Sequence, residues 1–146
     1  TSVKQRCTGN LVVEVMPDNY GEIQSLYVSA DSGSSTNNGQ ASPVPKTLVG
    51  FENHSGQTFL GDNVKPLAKT ISGFGNNSEA VYEGARFNNV FGSYMHGSLL
   101  PKNPHFADYL IWLALVRKYN DPDIRLPQLV NREEFDAHHY VVERYS

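Results

Sequence analysis

The chain has 146 residues, 39% of them hydrophobic, a formal net charge of −3 and one cysteine. That length supports one core, and the mildly acidic balance, without a Lys/Arg cluster, leaves no footprint for gripping a phosphate backbone, so no nucleic-acid partner is expected. No apolar run reaches the ~20 residues of a bilayer span and the first ten residues lack a secretory core, so the expectation is a cytoplasmic protein with no membrane insertion. The lone Cys7 excludes an internal disulfide and a cysteine-rich metal cluster.

"TSVKQRCTGN" carries no initiator methionine and runs straight into the alternation Leu11-Val12-Val13-Glu14-Val15, as if cut upstream of a strand; a fragment is expected. Runs rich in Val, Ile, Phe and Tyr, bounded by Gly, Asn, Asp or Pro, predict strands over 10–16, 23–29, 47–52, 67–72, 80–87 and 90–95. Residues 30–46, "ADSGSSTNNGQASPVPK", are too polar to order themselves by apolar burial and read as a flexible surface insertion. The runs 23–29 and 47–52 on either side of it could pair as a hairpin with a lengthened turn.

Helical signals come late. Asn103 suits an N-cap and Pro104 the first helical position. Phe106, Tyr109, Leu110, Leu113 and Ala114 then recur at helical spacing, widened by Ile111, Trp112, Leu115 and Val116 into a stripe that predicts a largely buried helix. A second helix is expected over 132–145, with Phe135, His138, His139 and Val142 on one face. Strands first and helices last suggest an antiparallel sheet under helices, whereas "NVFGSYM", nearly continuous in apolar and small residues, suits a central strand of an α/β sheet. Part of a larger α/β domain accommodates both.

His96 closes that run and is followed by Gly97; an imidazole at the carboxyl end of a strand suits acid–base work near neutral pH. A loop histidine bonded to a carbonyl is the plain alternative. In "FENHSGQT", Glu52, Asn53 and His54 converge where the chain turns, either to line a pocket or to satisfy turn amides. Arg6 could hold a carboxylate through two parallel hydrogen bonds, or be an ordinary solvated arginine. Cys7 lacks the glycine-flanked turn of an activated nucleophile and reads as structural. His138 and His139 lack the spacing of a metal pair, and His105 carries no special role.

Taken together, "RCTGNLVVE", "VGFENHSGQTFLG" and "SGFGNNSEAVYEGARFNNVFGSYMHGSLLPKNPHFADYLIWLAL" resemble the carboxyl-terminal half of class I glutamine amidotransferases of the cobyric acid synthase-like branch, nearest to the glutaminase (GatD) type that serves lipid II isoglutaminyl synthase. The resemblance covers about 2–119 and implies a Rossmann-like α/β sandwich, with 1–146 the carboxyl-terminal part of one amidotransferase domain and 120–146 a divergent helical tail. It implies a bacterial cytoplasmic enzyme with glutamine as substrate, no cofactor, no metal, and a Mur ligase-like synthetase partner that binds ATP and lipid II. Such an enzyme hydrolyses glutamine with a cysteine and a histidine. By resemblance His96 is that histidine, Arg6 holds the substrate's carboxylate, and Asn53 and His54 shape the pocket. The family's nucleophile lies in a glycine-flanked elbow upstream of "RCTGN", so Cys7 is not its equivalent and this polypeptide alone is expected to be inert. Ser98 stands where many class I enzymes carry a glutamate, which leaves the third triad member unassigned. Two other readings stay open: a corrinoid acceptor, as in cobyric acid synthase, and a non-catalytic binding domain on the same scaffold.

Overall fold

The computed structural model describes residues 6–28, 44–79, 81–127 and 129–146. In chain order the elements are β1 (Cys7–Val15), α1 (Pro17–Val28), β2 (Thr47–His54), β3 (Ala68–Ser72), β4 (Tyr82–Glu83), β5 (Ala85–Phe87), β6 (Val90–Gly92), β7 (Met95–His96), α2 (Leu99–Lys102), α3 (Pro104–Tyr119) and α4 (Arg132–Tyr145). The class is mixed α/β. Five strands form one sheet in the order β4-β3-β1-β2-β7, while β5 and β6 make a separate hairpin. Every strand pairing among the described residues is antiparallel.

The middle strand, β1, is covered on both sides, and this explains its unbroken run of apolar residues from Leu11 to Val13. Leu11, Val13 and Val15 enter the main core with Ile23, Leu48, Leu67, Met95, Phe106 and Tyr109. Val12 and Val49 point the other way, beneath Val141 and Val142 of α4. Against β2 the register is regular, from Cys7 opposite His54 to Glu14 opposite Thr47. Against β3 it shifts between Val12 and Val13, and the additional residue, Ile71, is exposed.

Several expectations change. Residues 23–28 are helical, so they cannot pair with β2; Pro17 and Asp18 open α1, a proline suited to a first turn and an acid suited to the positive end of the dipole. Ile23, Leu26 and Tyr27 pack on the main core with the helical spacing that a reading by aromatic and branched content overlooks. The expected insertion at 30–46 lies outside the described residues except for its end, where Val44 is buried and the Lys46 carbonyl accepts Val15 N–H at 2.8 Å.

The expected strands over 80–87 and 90–95 are each broken, and neither is central. Gly84, at φ 68°, bends the first; a Cβ there would meet the Gly92 carbonyl oxygen at 2.7 Å. Asn88, at φ 53°, forms the tight turn between β5 and β6, a left-handed position that asparagine tolerates. Arg86 ties the hairpin to α1, reaching both Glu22 carboxylate oxygens at 3.0 Å and Asn19 at 2.6 Å. The chain then returns to the main sheet only for the two-residue edge strand β7, and no inner parallel strand is formed there.

The helix expected to be largely buried, α3, buries only Pro104, His105, Phe106 and Tyr109, while Ile111 is 51% exposed. Asn103 opens it without a side-chain cap. Its amide instead pairs with β2 as a further strand would: Oδ1 accepts Val49 N–H at 2.9 Å and Nδ2 donates to the Val49 carbonyl at 2.7 Å. Nδ2 also reaches the Leu99 carbonyl at 2.6 Å, so one buried amide fixes α2 and α3 on the sheet.

Candidate active site

Strand alternation sorts the "FENH" residues. Leu48 and Gly50 share the main-core face of β2 with Glu52 and His54, whereas Val49, Phe51 and Asn53 share the face that carries α4. His96 is the cross-strand partner of Phe51 and meets its ring edge-on, with centroids 5.9 Å apart. Thr8 is the partner of Asn53. On this face Arg6, Thr8, Asn53 and His96 are all exposed.

Arg6 Nε donates to Asn53 Oδ1 at 2.6 Å, and Thr8 Oγ1 donates to the same oxygen at 3.2 Å. Because Asn53 lies two residues from Phe51, His96 and Asn53 are diagonal neighbours, roughly 7–8 Å apart at their backbones. An arginine, an amide and an imidazole therefore share one solvent-facing corner of the sheet. Gly97, at φ 66°, and Ser98, at φ 71°, turn the chain away into α2 immediately afterwards, so nothing from that turn continues the edge past His96.

His54 lies elsewhere. It is buried on the opposite face, with Nδ1–H donating to the Gly56 carbonyl at 2.8 Å and Nε2 3.4 Å from Glu52 Oε2. Its ring stacks on Tyr94 at 3.7 Å and 8°, and Tyr94 Oη meets Thr58 Oγ1 at 2.8 Å. Glu52 is fully buried and accepts the Phe74 and Gly75 amides at 2.7 and 3.1 Å, which meets the cost of taking a carboxylate out of water. Sequence reasoning named Glu52 only as part of a polar cluster and gave Tyr94 no role. The period of two in "FENH" separates Glu52 and His54 from Asn53, but not which pair faces solvent.

Cys7 is fully buried, with Gln57 Nε2 at 3.7 Å from its sulfur, a setting for packing rather than attack. His138 is fully buried too, bonded through Nε2 to Thr47 Oγ1 at 2.8 Å and through Nδ1 to the Lys102 carbonyl at 3.0 Å, while His139 is exposed. Among the described residues no three His, Cys, Asp or Glu side chains gather in a group that could hold a metal ion, and no helix is long and apolar enough to cross a membrane.

Residues 3–104 match the CobB/CobQ-like glutamine amidotransferase domain. The chain belongs to that family. It is 51% identical over 82 residues to the lipid II isoglutaminyl synthase (glutamine-hydrolyzing) subunit GatD of Streptococcus pneumoniae, covering 56% of this chain and 31% of that protein. Against the same subunit of Staphylococcus aureus it is 37% identical over 98 residues, covering 67% of this chain and 39% of that one. The chain thus spans about a third of the length of the curated relatives it matches. In this amidotransferase domain the matched stretch contains Arg6, Asn53 and His96, together with the buried Glu52 and His54 and the half-buried Tyr94 that stacks on His54.

Proposed function

We propose that this chain is the glutamine-binding, acid–base part of a cytoplasmic glutamine amidotransferase. Its ammonia would serve a Mur ligase-like synthetase subunit that binds ATP and lipid II and amidates the stem-peptide glutamate. The observation that carries the reading is the shared corner of Arg6, Asn53 and His96, in a chain 51% identical over 82 residues to a GatD subunit. Since Arg6 Nε is engaged by Asn53, the substrate's α-carboxylate meets the two terminal guanidinium nitrogens as a fork. The side-chain amide of glutamine then extends along the sheet corner toward His96.

The nucleophile is a thiolate from polypeptide outside these residues, because Cys7 is buried. The thiolate attacks the amide carbon; the C–N bond breaks as the His96 imidazolium gives its proton to the departing ammonia. Water then attacks the thioester and passes its proton back to His96 as the C–S bond breaks, releasing glutamate and regenerating the thiolate. His54, held on the other face, supports the sheet beneath Tyr94 rather than touching glutamine.

The test is glutaminase turnover and lipid II amidation by the full-length protein with its synthetase subunit, with and without His96→Ala. Loss of glutaminase activity by a factor of about 10²–10⁴ is expected, the usual range for removing an acid–base group. If added ammonium restores lipid II amidation to the variant, only the ammonia supply has been removed; unchanged turnover ends the reading.

A further inference from the structure

We infer that Glu83 is a positioning residue for His96, an inference that rests on the acid–base reading of that histidine. β4 and β7 are the two outermost strands of a five-stranded sheet. In a flat sheet four strand spacings would separate them by about 19 Å. Here the sheet curls, and the Glu83 carboxylate on β4 reaches the residues that lead into β7. Its Oε1 accepts both Ser93 Oγ–H and Tyr94 N–H at 2.7 Å, and Ser93 Oγ in turn accepts Met95 N–H at 2.9 Å. One oxygen thus orders the three residues before His96.

β7 needs such a clasp. It is two residues long and pairs on one side only, with β2, so two ladder positions cannot fix the imidazole's direction by themselves. From the β2 side it is held by Phe51 against the imidazole and by Met95 over Gly50. The stacking of Tyr94 on His54 at the end of β2 adds to that hold, and Glu83 supplies one from β4. Glu83 is fully buried and among the described residues its Oε2 has no hydrogen-bond partner. A buried carboxylate half satisfied is a poor choice for stability alone, and such local costs are expected where geometry matters to function.

Arg6 immediately precedes β1 and Asn53 lies on β2, both outside this clasp, so removing it separates turnover from substrate binding. In the full-length protein with its synthetase subunit, Glu83→Ala should lower glutaminase kcat about 10- to 100-fold, the scale of a misplaced catalytic group, with the KM for glutamine unchanged within about twofold. Glu83→Gln keeps an acceptor oxygen and should stay within about threefold of wild type. If Glu83→Ala fails to fold, Ser93→Ala removes the hydroxyl link at an exposed position and should show the same split more weakly. The pair Glu83→Ala with His96→Ala should be no slower than His96→Ala alone. Wild-type kcat in Glu83→Ala, equal impairment of the Gln and Ala variants, or kcat and KM worsening together would overturn the inference. A His96→Ala enzyme with full turnover would instead sink the acid–base reading on which it stands.

Discussion

His105 ties stability to pH in a way that one substitution can isolate. The imidazole is fully buried at the start of α3; Nε2–H donates to the Thr47 carbonyl at 3.1 Å, Nδ1 has no hydrogen-bond partner among the described residues, and the His138 ring stands edge-on at 5.6 Å. A second proton would sit on Nδ1 with nothing to receive its hydrogen bond. Burial first and His138 second push the pKa down from 6.5 to about 4, against the opposing pull of the Thr47 carbonyl. The unfolded chain therefore takes up a proton that the folded one refuses, and stability is lost as pH falls from about 6.5 toward 4. With those two values the loss at pH 5 is about 2 kcal/mol. His105→Phe keeps an aromatic ring but cannot be protonated. At pH 7.5 it should be less stable than wild type by about 1–3 kcal/mol, because the Thr47 carbonyl loses its donor. At pH 5 that gap should shrink by about 2 kcal/mol. Urea unfolding of both proteins at the two pH values measures it, and carboxylates and the other histidines titrate in both and largely cancel. A gap that is the same at both pH values would refute the argument.

Asn103→Ala removes the amide that completes β2 at Val49 and should cost about 2–4 kcal/mol, two buried backbone groups losing their partner; denaturant midpoints at constant m-value check it. Gly50→Ala would set a Cβ 2.9 Å from Met95 Cβ, pushing β7 from β2, and should lower Tm by several degrees, as overpacking costs about 1–3 kcal/mol. If the proposed function holds, Asn53→Ala releases Arg6 Nε and should raise the KM for glutamine about 5- to 30-fold with little change in kcat, by loss of a hydrogen bond to a charged group worth about 1–2 kcal/mol. Steady-state glutaminase kinetics would show it.

The parts legible in the sequence are those that local pattern controls. The branched alternation of β1, the strand ending in "FENH", the proline-led α3 and the existence of α4 follow from period and composition, although the buried face of α4 is His138 and Val141 and the expected His139 is exposed; the motif strings that resemble the family lie in the stretch that matches it. What escaped depends on pairing at a distance. Residues 23–28 satisfy both strand composition and helical spacing, and packing of Ile23, Leu26 and Tyr27 on the core selects the helix. "NVFGSYM" reads as one inner strand until Glu83, eleven residues before Tyr94, pins its middle and leaves only Met95 and His96 on the sheet. Asn103 reads as a cap because capping is local; its actual partner, Val49, is 54 positions away. Similarly, Glu52 joins Phe74 and Gly75 over 22 and 23 positions, a link that spacing within "FENH" cannot announce.

α3 is greasy on nearly every side yet roofed on only one: beyond Tyr109 none of its residues is buried, and Ile111 stands in water. In a tube, this polypeptide by itself should cling to its own kind as concentration rises, and lysine at position 111 should keep it apart, which light scattering against concentration would record.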